Sequence, residues 1–207
     1  PALQVLGDWW PEDPDAYQTI LAAATDANTD VRHAALQVLG DWWPEDPDAY
    51  QTILAAATDA NTDVRRTAMR VLGAWWPDEQ DTHQTVLAAA TDTDPDIRTI
   101  ALHVLGDWWP DEQDTHQTVL AAATDTDPAV RITALQMLST NSPDVAWPVV
   151  CEHATGDESA AVRVYVIKLL ALLWPNEPDT LTLIRVMEQH DDDDVRRTAG
   201  QALTLLE

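Results

Sequence analysis

Apolar positions in the segment 12–43 fall into two stripes of helical spacing. Tyr17, Ile20, Leu21 and Ala24 recur at i, i+3, i+4 and i+7, the mark of a helix with one buried face. Val31, Ala35, Val38 and Leu39 form a second stripe. Pro14 and Asp15 open the first helix, the acid complementing the positive end of the helix dipole. Asn28, Asn61, Asp94 and Asp127 share one column just ahead of the second stripe and read as N-caps. Pro95 and Pro128 follow two of those caps at the first helical position. The second helix stops at Trp-Trp-Pro, because proline cannot continue it. The pattern predicts a helical hairpin of roughly 11 plus 14 residues, about 16 and 21 Å long at 1.5 Å per residue. The alternation from Val162 to Val166 is short and falls where the register demands a second helix.

The hairpin repeats. Val31-Arg32, Val64-Arg65, Ile97-Arg98, Val130-Arg131, Val162-Arg163 and Val195-Arg196 recur every 33 residues, with one step of 32 between Arg131 and Arg163. A period in this range belongs to stacked-repeat proteins, whose units share one continuous core. The expected division is a single array over 1–207. Residues 1–11 form the second helix of a truncated repeat, followed by repeats at 12–43, 44–76, 77–109, 110–142, 143–174 and 175–207. The chain starts at the tail of a helix, so Pro1 reads as a fragment boundary. The first four units are almost identical. Further on, Asn141-Ser142-Pro143 replaces Trp-Trp-Pro and the inter-helix spacing shortens, while Leu173 replaces the first Trp before Trp174-Pro175. The acid run Asp191 to Asp194 reads as a solvated loop with Asp192 in the cap column.

Charge narrows the partners. The formal net charge is −25, from 36 acidic against 11 basic residues. So acidic a surface repels phosphate backbones and anionic lipid, which argues against nucleic-acid and membrane partners. Hydrophobic content of 45% permits a full core. Cys151 is the one cysteine, so no disulfide framework and no cysteine metal site are expected. Nothing has the form of a signal peptide or a membrane span, and a cytoplasmic location is expected.

The run Asp-x-x-Val-Arg-x-x-Ala-Leu-x-x-Leu resembles the second helix of a HEAT repeat, of the short, HEAT-like type. It matches from Val31 through Leu39 and again from Val64, Ile97, Val130, Val162 and Val195. The resemblance implies an all-α fold, a right-handed α-solenoid of stacked helical hairpins. Its second helices would line a concave face, and its usual role is that of a binding scaffold. More narrowly, Trp10-Pro11, Trp43-Pro44, Trp76-Pro77, Trp109-Pro110 and Trp174-Pro175 carry a pattern similar to repeats behind NACHT-type ATPase modules of bacterial multidomain proteins. That likeness implies the sensor half of an NLR-like defence or signalling protein. No phosphate-binding G-x-x-x-x-G-K-[ST] loop is present, so any ATPase would precede Pro1.

Three sets of columns carry candidate function. The Val-Arg arginines, Arg32, Arg65, Arg98, Arg131, Arg163 and Arg196, read as a structural ladder paired with loop carboxylates such as Asp26, Asp59 and Asp92. Positions two and six residues after each Val point away from the buried stripe. The first of these columns reads His33, Arg66, Thr99, Ile132, Val164 and Arg197. The second reads Gln37, Arg70, His103, Gln136, Lys168 and Gln201. These columns hold four of the five cations outside the ladder, Arg185 being the exception, and differ between otherwise similar units. They are the expected partner-binding stripe. The third set is the first Trp of each doublet, Trp9, Trp42, Trp75 and Trp108. It reads as extra inter-repeat core in a chain without Phe, or as an aromatic ladder offered to a partner. The second Trp is expected to pack between units.

No chemistry stands out beside this. Tyr17, Tyr50, His83 and His116 share a first-helix column, and the two histidines lie a unit apart, about 10 Å, too far to share a metal ion. Neither His153 nor His190 has a convergent ligand set, and Cys151 has no partner base. No catalytic residue, metal site or cofactor is expected. Bilin lyases and DNA glycosylases also use HEAT-like repeats, but the first would need a chromophore site and the second a basic groove. The expected function is non-enzymatic binding of a protein or peptide, within a longer polypeptide that has an upstream module. The alternative is a self-assembling scaffold built through the Trp ladder.

Overall fold

The structure, a computed structural model, describes residues 2–206; Pro1 and Glu207 lie outside the described residues. Among those described the chain is all-helical: α1 (Ala2–Trp9), α2 (Pro14–Ala23), α3 (Thr29–Trp42), α4 (Pro47–Ala56), α5 (Thr62–Trp75), α6 (Gln80–Ala89), α7 (Pro95–Trp108), α8 (Gln113–Ala122), α9 (Pro128–Asn141), α10 (Pro143–Gly156), α11 (Ala160–Leu173), α12 (Pro178–Met187) and α13 (Asp193–Leu206). It is an α-solenoid of helical hairpins, with first helices of 10 residues and second helices of 14 over most of the chain.

Local chemistry fixes these boundaries. Asn28, Asn61, Asp94 and Asp127 each accept a backbone N–H of the following turn in their side chains, which satisfies donors that a helix start leaves open. Asp192 does the same for Asp194 and Val195. The first helices have caps that the sequence pattern did not single out: Asp13 and Asp46, each followed by Pro at the first position. The second helices α3, α5, α7, α9 and α11 end where the residue before proline leaves the helical region, as at Trp43 and Trp76. The fifth hairpin departs from the plan. Ser142 ends α9 and starts α10 at once, and α10 runs for 14 residues with Pro148 on its exposed side. Losing the loop between them lengthens the first helix to 14 residues, while the unit as a whole is one residue shorter than the others.

The chain forms two compact units, 1–115 and 116–207. In the first, α1, α3, α5 and α7 lie side by side, each against the next, while the first helices α2, α4 and α6 are held apart. The second-helix side is therefore the inner side of that unit. Its core is made by Leu36, Leu39, Met69, Leu72, Leu102 and Leu105 from the second helices and by Ile20, Ile53 and Val86 from the first. In the second unit, α11 packs between α9 and α13, and α10 and α12 also touch. Val150, Val166, Ile167, Leu170, Ile184 and Leu203 fill its core.

Candidate functional site

A second helix buries its stripe against its own first helix and one flank against each neighbouring second helix. Position +2 after each Val falls on such a flank. His33 hydrogen-bonds through Nδ1 to the Thr67 hydroxyl on α5 at 2.6 Å, and Ile132 and Val164 pack against the core of the second unit. This column is half-buried except at Arg197. It does not point freely away from the stripe, because the adjacent second helix covers the flank it occupies. The +6 column is the open one. Arg70, His103, Gln136, Lys168 and Gln201 are exposed, and Gln37 is half-buried. The stripe is also less basic than its residue count implies. Arg66 pairs with Asp63 and Arg197 with Asp194, each one turn earlier on its own helix, leaving Arg70 and Lys168 as its exposed cations outside those pairs.

In the first unit the +6 column runs beside the first Trp of each doublet. Gln37, Asp41, Thr67, Arg70, Val71, Ala74 and Trp75 line a notch of about 420 Å³ between α3 and α5. Trp42, Trp75 and Trp108 are 38%, 44% and 47% exposed, so they are neither core nor free. One edge of each indole is seated against the glycine one repeat earlier. A Cβ on Gly40 would lie 2.5 Å from Val71 Cγ1 and 2.9 Å from Trp75 Cδ1. The same addition at Gly7 would meet Trp42 Cδ1 at 2.5 Å, and at Gly73 it would meet Val104 Cγ1 at 2.6 Å and Trp108 Nε1 at 3.3 Å. Glycine inside a helix costs about 1 kcal/mol against alanine; here it makes room for the next ring. The seated edge is part of the packing between repeats, and the rest of the ring is open to solvent. Trp9, on α1, is more exposed, at 72%.

The second Trp has a different partner from the expected one. Trp43 packs on Tyr17, Trp76 on Tyr50 and Trp109 on His83, with ring centroids 5.2, 5.4 and 4.6 Å apart. These contacts close a hairpin on itself, and only the Trp43 Nε1–H reaches back, donating to the Pro11 carbonyl at 3.1 Å. The Tyr/His column reaches forward. The Tyr17 hydroxyl donates to the Asp46 carboxylate, Tyr50 meets the Thr82 hydroxyl, and His83 meets Thr115. Burial, then the Asp46 carboxylate, raises the Tyr17 hydroxyl well above its usual range.

The Val-Arg arginines join loop to loop. Arg32 binds the Asp26 carbonyl of its own hairpin and, through Nε and Nη2, both carboxylate oxygens of Asp59 in the next at 2.9 Å. Arg65 binds the Asp59 carbonyl and, through Nη2 alone, one carboxylate oxygen of Asp92, its buried Nε left without a hydrogen-bond partner, and Arg98 holds the Asp92 carbonyl. Arg131 and Asp157 make the buried version, at 5% and 6% exposure, with a fork of 2.9 and 2.7 Å. His153 Nδ1 and the Ser159 N–H add to that carboxylate. Burial alone would raise the Asp157 carboxyl, but the Arg131, Ser159 and His153 hydrogen bonds outweigh it and hold it below the usual carboxylate range. Arg163 binds the Asp157 carbonyl, and His190 stands where the next loop would supply an acid. Arg196 turns to the His190 and Asp191 carbonyls and to Asp193. Asp157 was available to sequence reasoning, since it follows Asp125 by the one 32-residue step.

On the other side, the spread first helices leave two equivalent grooves of about 800 and 720 Å³, lined by such pairs as Leu54 and Leu21, Ala88 and Ala55, and Thr85 and Thr52. The sequence pattern placed Leu21 in the buried stripe, but the spread of the first helices leaves it and Leu54 half-buried at the groove wall. Among the described residues no group of three or more His, Cys, Asp or Glu is placed to hold a metal ion. No helix among them is long and apolar enough to cross a membrane.

The family described as HEAT repeats matches this chain over residues 2–73, 17–106 and 83–157. Among solved structures the chain is similar to the archaeal HEAT-like repeats protein from Thermococcus onnurineus NA1, at 15% identity and TM-score 0.51, covering 99% of this chain and 92% of that one. It is similar to an engineered protein at 14% identity and TM-score 0.53, over 92% and 98% of the two chains. It is also similar to a chain of the CpcE and CpcF complex of phycocyanin lyase from Nostoc sp. PCC7120, at 23% identity and TM-score 0.54, over 76% and 99%. No curated protein sequence matches. With hairpin, cap and Val-Arg column all in place and the family matched over most of its length, the chain belongs to the HEAT-repeat family.

Proposed function

We propose that this chain is a non-enzymatic recognition scaffold that binds a protein or peptide along its second-helix face. The observation that carries the reading is the coincidence, in the first unit, of an exposed polar column with a ladder of seated, part-exposed tryptophans. Rigid aromatic anchors beside polar groups are what binding hot spots are made of, and repeat scaffolds use such inner surfaces for partners. The partner-binding positions are Gln37, Arg70 and His103 in the first unit and Gln136, Lys168 and Gln201 in the second. His33, Arg66, Thr99, Ile132 and Val164 set the helix flanks beneath them, and Arg197 lies at their end. The finer reading, the sensor repeats of a bacterial NACHT-type defence or signalling protein, draws on the Trp-Pro pattern alone.

A random-peptide display library panned on the intact chain tests the face. Enrichment of a sequence family whose binding falls at least tenfold with Trp75→Ala or Arg70→Glu, and not with Gln84→Ala in a first-helix groove, supports it. A ligand indifferent to both second-helix changes overturns it. The exposed tryptophans also support a second reading, self-assembly through the ladder. That reading requires a sedimentation coefficient that rises with concentration and returns to the monomer value in Trp42→Ala.

A further inference from the structure

The ladder carries a charge pattern. Asp8 and Asp41 are exposed on successive second helices, one residue beyond Gly7 and Gly40, the glycines that seat Trp42 and Trp75. Asp41 and Asp107 also directly precede Trp42 and Trp108, whereas Ala74 precedes Trp75. Arg70 enters the Trp75 notch opposite Asp41; the equivalent residues are Gln37 for Trp42 and His103 for Trp108. Trp42 therefore sits between two acids, Asp8 and Asp41, the second of which it shares with the Trp75 notch. Trp108 has one acid, and at Trp75 an acid and a cation offset each other.

The spacing of the ladder selects a backbone. Packed helices stand about 8–10 Å apart, so Trp42 and Trp108, two repeats apart, are separated by about 16–20 Å. A β-strand returns its side chains to one face every second residue, about 6.5–7 Å, and so does not match successive rungs about 8–10 Å apart. A polyproline-II helix returns them every third residue, about 9.3 Å, and six residues span about 19 Å. Its fixed conformation also loses little entropy on docking, and aromatic ledges are a known kind of surface for it.

Resting on the second-helix face as the recognition surface, we propose that the Trp42–Trp75–Trp108 ladder takes a polyproline-II segment carrying an arginine or lysine at two positions six residues apart. Each cation lies over an indole, at Trp42 and at Trp108, beside Asp8, Asp41 and Asp107, where ring and carboxylate both favour positive charge. The intervening turn presents an uncharged proline to Trp75, since Arg70 repels a third cation. A second copy of this chain is the wrong occupant, because it would bring another −25 charge to an acidic surface.

The test is calorimetric titration of the intact chain with end-blocked peptides of identical composition. One places its two arginines either side of five prolines; the other places them side by side. The separated peptide is expected to bind at least tenfold more tightly, and Asp41→Asn or Trp108→Ala to weaken it severalfold. Asp41→Asn, on an exposed side chain, leaves the fold untouched. Arg70→Gln is expected to raise affinity for a peptide with an arginine at every third residue. Equal binding of the two isomers, meaning charge attraction only, overturns the proposal, as does indifference to Asp41→Asn. If a library-selected peptide that is neither cationic nor proline-rich binds through Trp75, the recognition face stands and this assignment of its ligand falls.

Discussion

Gly40 lies in the last turn of α3 and Gly200 in the middle of α13, and alanine should act on them in opposite directions. At Gly200 the nearest atom to an added Cβ is Glu188 Oε1 at 3.8 Å, ordinary contact. Gly200→Ala should therefore stabilise by up to about 1 kcal/mol, the usual helix-propensity gain. At Gly40 the Cβ overlaps Val71 and the Trp75 ring. Overpacking costs about 1–3 kcal/mol, which exceeds the propensity gain, so Gly40→Ala should lower the denaturation midpoint. It should also shift the tryptophan emission as Trp75 leaves its seat. Thermal melts of the two variants check the pair, and a stabilised Gly40→Ala would mean the seat is soft. The glycine column was visible in the sequence as Gly7, Gly40 and Gly73. Its purpose was not, because the ring it receives lies 35 residues further on, a distance set by stacking and not by the local pattern.

At the level of the helix and its loops, what could be read from sequence was whatever one turn decides. Asn61 accepts from Asp63 and Val64, and Asn61→Ala should cost about 1 kcal/mol with m-value unchanged in a urea melt. Proline and the cap column placed both ends of the second helix within a residue or two. What escaped was the direction of the flanks. Ile132 and Val164 share a column with Arg66 and Arg197, and only the neighbouring second helix decides that this flank is half-covered. The arginine ladder shows the same division. Its count is plain in the sequence, but its strength depends on burial, which differs from rung to rung. Arg131→Met would leave the Asp157 carboxylate buried with only His153 and the Ser159 N–H, and should cost about 3–5 kcal/mol. Arg66→Gln breaks an exposed i, i+3 pair with Asp63 and should change stability by less than about 0.5 kcal/mol. Chemical denaturation of the two variants side by side separates a buried pair from an exposed one.

Across the whole molecule, two electrostatic terms oppose each other as pH changes. A net charge of −25 on 207 residues makes the folded chain repel itself at pH 7. Protonation of surface carboxylates below about pH 5 relieves that repulsion. Against this stand Asp46, Asp59, Asp94 and Asp157: burial would raise each carboxyl, but hydrogen bonds, joined by an arginine at all but Asp46, win and depress it. A carboxyl depressed in the fold contributes stability that is present above its unfolded value, near 4, and disappears as pH falls through the folded value. The caps and ladder pairs thus survive a mild acidification that already removes repulsion. The melting temperature at low salt should therefore be higher near about pH 5 than at pH 7, then fall steeply below about pH 4. Screening should act like the first step alone: about 0.5 M NaCl at pH 7 shortens the Debye length to about 4 Å and should close most of the gap between pH 7 and pH 5. Buried pairs such as Arg131–Asp157 are screened far less than surface charge, so salt should leave the acid limb below pH 4 in place. A melting temperature that declined steadily from pH 7 to pH 4, or that fell with salt at pH 7, would show that the ladder and caps, and not the self-repulsion of the surface, set the balance.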